Sequence, residues 1–140
     1  MLTLRLALAV NGAAMLAWSP FLFFKHRSII SVAEGRKAAA KKTPFDDMIW
    51  QITGLWVAFT GLTCLFVTDV PGVVWSTYWD DEISPEILTI LYHPLAFLIS
   101  TIHIIETFVK WNALGKKGVL QGASGNIVLA GLLLVAITFS

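Results

Sequence analysis

Three side chains in one helix-length apolar run, His93, His103 and Glu106, are the residues of this chain whose types could do chemistry. An imidazole can ligate a metal or a tetrapyrrole, move a proton, or hydrogen-bond through either ring nitrogen. A carboxylate nearby can orient it. Such groups are costly in lipid, so their presence within an apolar stretch marks function or paired structure. Asn11, in the first apolar stretch, is a further polar side chain able to ligate a group or to hydrogen-bond across a tight helix contact.

On a helix of about 100° per residue, Tyr92, Ala96, Ile99, His103, Glu106 and Lys110 fall within an arc of about 80°. His103 and Glu106 are one turn apart, which predicts a direct contact, with Lys110 as a third partner. His93 points about 80° away from His103 on the same helix and is the better candidate for an outward-facing ligand.

Four chemistries suit this set. In the first, His103 and Glu106 satisfy each other inside a helix bundle. In the second, an imidazole holds a pigment or haem, with contacts drawn from His93, His103, Glu106 and Asn11. Bis-histidine haem needs histidines on facing elements at matched depth. Only His26 lies off this helix, so single-ligand chlorophyll is easier to satisfy. The third, a proton relay, needs further polar stations, for which Asn11 and Asn126 are thin candidates. The fourth is an enzyme site. Di-iron bundles take carboxylates from several helices, this chain has one intramembrane carboxylate, and no Ser/His/Asp constellation is evident; no enzyme is expected.

The elements that position these residues are apolar spans. The chain has 140 residues, 56% of them hydrophobic and 14% charged, with mean hydropathy +0.74. Its charges cluster between long uncharged runs, the pattern of a polytopic membrane protein. A net charge of +1 offers no basic field for nucleic acid. The single cysteine, Cys64, excludes a disulfide framework and reads as a packing residue.

Four spans are expected, at about 2–24, 48–68, 85–110 and 118–139. The first resembles a signal peptide in its opening residues. Trp18, Pro20 and three phenylalanines stand where a small-residue cleavage site would be needed, so it reads as a retained span. The basic loop 25–47 has helix-forming alanines in Ser31–Lys42 and would lie on anionic headgroups, at about 1 kcal/mol per basic residue. Thr43-Pro44-Phe45-Asp46-Asp47 is a helix start. In the second span Gly54 and Gly61 are seven residues apart on one face, a stripe that lets another backbone approach.

The acidic, aromatic loop 69–84 carries Trp75, Tyr78 and Trp79 beside Asp80, Asp81 and Glu82, as at a membrane interface. Ser84-Pro85-Glu86 starts the third helix, and Pro94 predicts a kink within it. Gly115, Gly118, Gly122 and Gly125 form a second small-residue stripe at the start of the last span.

The loops after the first and third spans hold nine of the ten Lys and Arg residues. By the positive-inside rule those loops face the cytosol, matrix or stroma, and both termini face the outer or lumenal side.

From Gly54 onward the chain resembles the ergosterol biosynthetic protein 28 family. The residues concerned are Gly54-Leu55-Trp56, Cys64 with Asp69, Leu91-Tyr92-His93, and His103 followed by Glu106, Phe108 and Val109. The histidine spacings are shifted and the first loop differs, so the resemblance covers about half the chain. It implies a small four-span endoplasmic-reticulum protein that tethers sterol-synthesis enzymes, and it marks Tyr92, His93, His103 and Glu106.

The expectation is therefore an all-α, four-transmembrane-helix bundle forming a single membrane domain, 1–140. Its expected role is that of a non-catalytic accessory or scaffold subunit in a larger membrane complex, with an energy-converting assembly, photosystem-antenna or respiratory, favoured. The alternatives are the sterol-enzyme tether and a His-ligated chlorophyll or haem subunit. Expected partners are membrane lipids and other transmembrane subunits, and expected ligands are bound lipids or a pigment. Thylakoid, mitochondrial inner membrane and endoplasmic reticulum all fit.

Overall fold

The computed structural model describes residues 2–69, 85–122 and 124–139, and its regular elements there are all helices. They are α1 (Leu2–Phe24), α2 (His26–Glu34), α3 (Arg36–Ala40), α4 (Pro44–Thr68), α5 (Pro85–Gly122) and α6 (Ser124–Thr138). Among the described residues, three segments are long and apolar enough to cross a membrane: Leu4–Phe24, Pro44–Thr68 and Ile90–Asn112. These are compatible with an integral membrane protein. α6 has 15 residues. At 1.5 Å per residue it is about 22 Å long, shorter than a hydrocarbon core of about 30 Å.

α1 and α4 form an antiparallel pair with a constant register. Arg5 donates to the carbonyls of Thr68 (2.6 Å) and Asp69 (3.0 Å). Gly12 meets Gly61, Ser19 meets Gly54, and His26, just past the end of α1, meets Asp47. Each step of seven along one helix is matched by a step of seven back along the other. That is the heptad repeat of two coiled helices, here with glycines where the backbones touch. A Cβ built on Gly61 would lie 2.8 Å from the Gly12 carbonyl oxygen, and one on Gly54 would lie 3.0 Å from the Phe23 nitrogen. The glycines expected to form a close-contact stripe do so, and Gly12 is their counterpart.

α4 starts with a capping box. Thr43 Oγ1 accepts from the Asp46 backbone N–H, and the Asp46 carboxylate accepts from the Thr43 N–H at 2.7 Å. The helix ends at Asp69, which is left-handed with φ 47°, and the Arg5 guanidinium satisfies the last carbonyls. A cation there also suits the helix dipole.

The basic stretch 25–47 is mostly helical. α2 and α3 are separated by Gly35 at φ 95°, a torsion that glycine adopts without strain. α2 turns Ile30 inward and leaves Arg27 and Val32 exposed.

The torsions of α5 are helical at Pro94, and a break in helical torsion falls at Gly115, with φ 67° and ψ −171°. The helix runs through Asn112, slightly past the expected end of the third span. Gly115 therefore serves as a hinge residue rather than a packing residue. A Cβ on Gly125 would meet nothing within 4 Å, so that glycine does not mark a tight contact either. Side chains 117–122, and with them Gly118 and Gly122, lie outside what is described, as do the acidic aromatic loop beyond Asp69 and the Ser84 cap.

The core occupies one end of the bundle. Leu4 and Leu8 of α1, Cys64 of α4, Tyr92 and Ile99 of α5 and Leu133 of α6 pack together there. The opposite ends of the same helices surround a cavity. Successive long helices thus run in alternate directions, α1 toward the cavity end and α4 back from it, then α5 and α6 likewise.

Candidate functional site

The polar residues of α5 stand between the packed core and the cavity. The buried face of this helix carries Tyr92, Ala96, Ile99, Ser100 and His103, and Glu106 and Lys110 continue it half-buried. Helical spacing dictates this, because apolar and polar residues at three- and four-residue intervals share one face.

His103 and Glu106 do not take each other as hydrogen-bond partners; each reaches a different helix. His103 Nε2 donates to Asn11 Oδ1 of α1 at 3.1 Å. Asn11 is fully buried, and its amide nitrogen donates to the Ala7 carbonyl at 3.3 Å. That second bond assigns the amide oxygen to the imidazole and the N–H to the Nε2 side of the ring. His103 Nδ1 is buried with no hydrogen-bond partner. On α6, Asn126 Nδ2 donates to Glu106 Oε2 at 2.6 Å, and Lys110 Nζ stands 3.9 Å from the same oxygen. α5 is thereby tied to α1 through His103 and to α6 through Glu106. Asn11 and Asn126, expected as thin relay stations, are the acceptor and donor of these ties.

His93 lies on the exposed face of α5, away from Asn11, His103 and Glu106. Of the four candidate ligand residues, the fold brings together His103 and Asn11 in direct contact, with Glu106 one turn along. Among the described residues no group of three or more His, Cys, Asp or Glu is arranged to hold a metal ion.

A second polar cluster joins α2 to α4. His26 is buried. Its Nδ1 donates to the Phe23 carbonyl at 3.2 Å and its Nε2 is 2.8 Å from Asp47 Oδ1. Its ring lies parallel to that of Trp50, with centroids 6.4 Å apart. Arg27 donates to both oxygens of Asp47, from Nε at 3.0 Å and from Nη2. These hydrogen bonds, with the carboxylate charge, hold the guanidinium above its usual pKa. Sequence reading assigns His26 no partner beyond its place off the third helix. The heptad step that aligns it with Asp47 was the available signal.

The cavity itself was not foreseen. It has a volume of about 1000 Å³ and lies between the C-terminal part of α1, α2, the start of α4, the end of the apolar part of α5 and the start of α6. Met15, Phe21 and Leu22 of α1, Val57 of α4 and Leu129 of α6 give it apolar walls. His103, Glu106, Lys110, Asn126 and Lys25 supply its polar groups. Of its lining residues on α5, His103, which is bonded to Asn11, lies nearest the core.

No protein-family model, no curated protein and no solved structure matches this chain.

Proposed function

We propose that this chain is a four-span, non-catalytic scaffold subunit of a larger membrane complex. The observation that carries the reading is where the intramembrane polar groups go. His103 is engaged with Asn11 and Glu106 with Asn126, each bond joining two helices, and Lys110 pairs with Glu106 along α5. Polar side chains used this way hold transmembrane helices together. An axial ligand needs a ring nitrogen directed at open space, whereas His103 Nε2 is occupied and Nδ1 is enclosed. This favours the scaffold over a pigment or haem subunit, and the single intramembrane carboxylate favours it over an enzyme.

In this reading the helical turns that follow Gly115 extend α6 into the fourth span. The basic segments around Lys25–Lys42 and Lys110–Lys117 face the cytosol, matrix or stroma, and both termini face the opposite side. α4 is covered by α1 along its glycine face. Its other side, with Ile52, Leu55, Trp56 and Phe59 exposed, is the surface assigned to a neighbouring subunit. The hydroxyls of Thr53, Thr60 and Thr63 return to their own helix carbonyls, which keeps α4 compatible with an apolar neighbour. A host complex of energy conversion, or a set of sterol-synthesis enzymes as the family resemblance implies, would each use such a subunit.

The test is native electrophoresis of the tagged protein from its own membrane in mild detergent, with partners identified by mass spectrometry. A scaffold subunit migrates with a large complex in fixed stoichiometry. Recovery only as a free monomer would contradict the reading, and sterol-synthesis enzymes among the partners would select the tether.

A further inference from the structure

We infer that the cavity at the basic end of the bundle is a binding site for one acidic amphiphile, a lipid whose headgroup carries phosphate or carboxylate. The size is right for a whole ligand tail. Small-molecule sites span about 300–1,000 Å³ and are mostly apolar with a few convergent polar groups. This cavity, at about 1000 Å³, lies at the top of that range.

Many of its polar groups belong to the helix ends next to the basic segments. Lys25 ends the apolar part of α1, and Lys110 ends that of α5. Both line the cavity, as does Glu106, its one carboxylate. Two ammonium groups against one carboxylate leave a net positive mouth. Ser28, Ser124 and Asn126 add hydrogen-bonding groups to the same region. An acidic headgroup complements this charge, while a zwitterionic one brings a cation of its own toward the lysines.

The apolar walls, Met15, Leu22, Val57 and Leu129, suit an acyl chain or a fused-ring tail.

Gly125 lines the cavity and has no neighbour within 4 Å of its Cβ position, so the start of α6 leaves the space open. The inference concerns lipid binding by this chain alone and stands whether or not the chain belongs to a complex.

Trp18 and Trp50 line the cavity and serve as reporters. The full-length protein, delipidated in neutral detergent, is titrated with phosphatidylglycerol, phosphatidylcholine and oleate, each brominated on its chain. Saturable quenching of tryptophan fluorescence by phosphatidylglycerol or oleate is expected, lost in the Trp18→Phe/Trp50→Phe variant. Whichever acid saturates identifies the headgroup as phosphate or carboxylate. Lys25→Gln and Lys110→Gln should each weaken binding by roughly fivefold for the acidic lipid and leave phosphatidylcholine unchanged. Circular dichroism on the same samples separates lost binding from lost fold. Equal binding of phosphatidylcholine, or quenching that rises without saturation for all three lipids, overturns the inference.

Discussion

Asn11 and His103, 92 residues apart, meet through a 3.1 Å hydrogen bond in the interior of the bundle. The bond joins the first apolar helix to the third and separates a packed apolar core from a cavity with polar groups at its mouth. It also takes up Nε2 of the buried histidine of α5, a nitrogen that would otherwise be a natural ligand. The strongest candidate for chemistry in this chain is, by its geometry, a helix clasp.

The two histidines of α5 should differ in their effect on stability. His103→Ala leaves the Asn11 amide oxygen buried without a donor and should cost about 1–3 kcal/mol. His93→Ala, on the exposed face, should cost under about 1 kcal/mol. Reversible unfolding in mixed micelles followed by circular dichroism measures both.

The α6 tie should respond to chemistry rather than charge. Asn126→Ala removes the donor to Glu106 and should lower stability by about 0.6–1.7 kcal/mol. Glu106→Gln keeps an amide oxygen able to accept from Asn126, and should retain most of that stability, while Glu106→Leu should not. Thermal melts of the three variants in detergent decide it.

Close approach of α1 and α4 should tolerate no side chain at its centre. Gly61→Leu places atoms against the Gly12 carbonyl oxygen, already 2.8 Å from a Cβ position. Overpacking of this kind costs about 1–3 kcal/mol. Gly125→Ala, with open space around its Cβ, should be neutral or slightly stabilising, since alanine favours helix by about 1 kcal/mol over glycine. The same melts compare the two glycines.

Orientation is open to direct labelling. In a Cys64→Ser background, Lys37→Cys should be protected from a membrane-impermeant maleimide applied to the outer or lumenal face, and Thr77→Cys should react. The reverse pattern would invert the assignment.

Much of the architecture was legible because it depends on local periodicity. Tyr92, Ala96, Ile99 and His103 share an arc by helical spacing, and all four are buried on α5. Gly54 and Gly61 repeat at seven, and the partner backbone approaches there. The partners of His103 and Glu106 were not legible, because spacing along one helix says nothing about the rotation of its neighbours. One turn of separation made a His103–Glu106 pair reasonable, yet asparagines on two other helices offer those side chains better geometry. The break at Gly115 was not legible either, because the sequence does not fix a glycine's torsion, and a glycine at positive φ ends helical torsion outright. The cavity lies between five helices, and no residue pattern along one of them encodes it.

The most direct test of the central claim is a double-mutant cycle on Asn11→Ala and His103→Ala, read by reversible unfolding in mixed micelles. If the pair is a clasp, the double variant loses less stability than the two single losses together, with a coupling of about 0.6–1.7 kcal/mol. Strict additivity of the two losses would contradict the account and return His103 to the candidates for ligand chemistry.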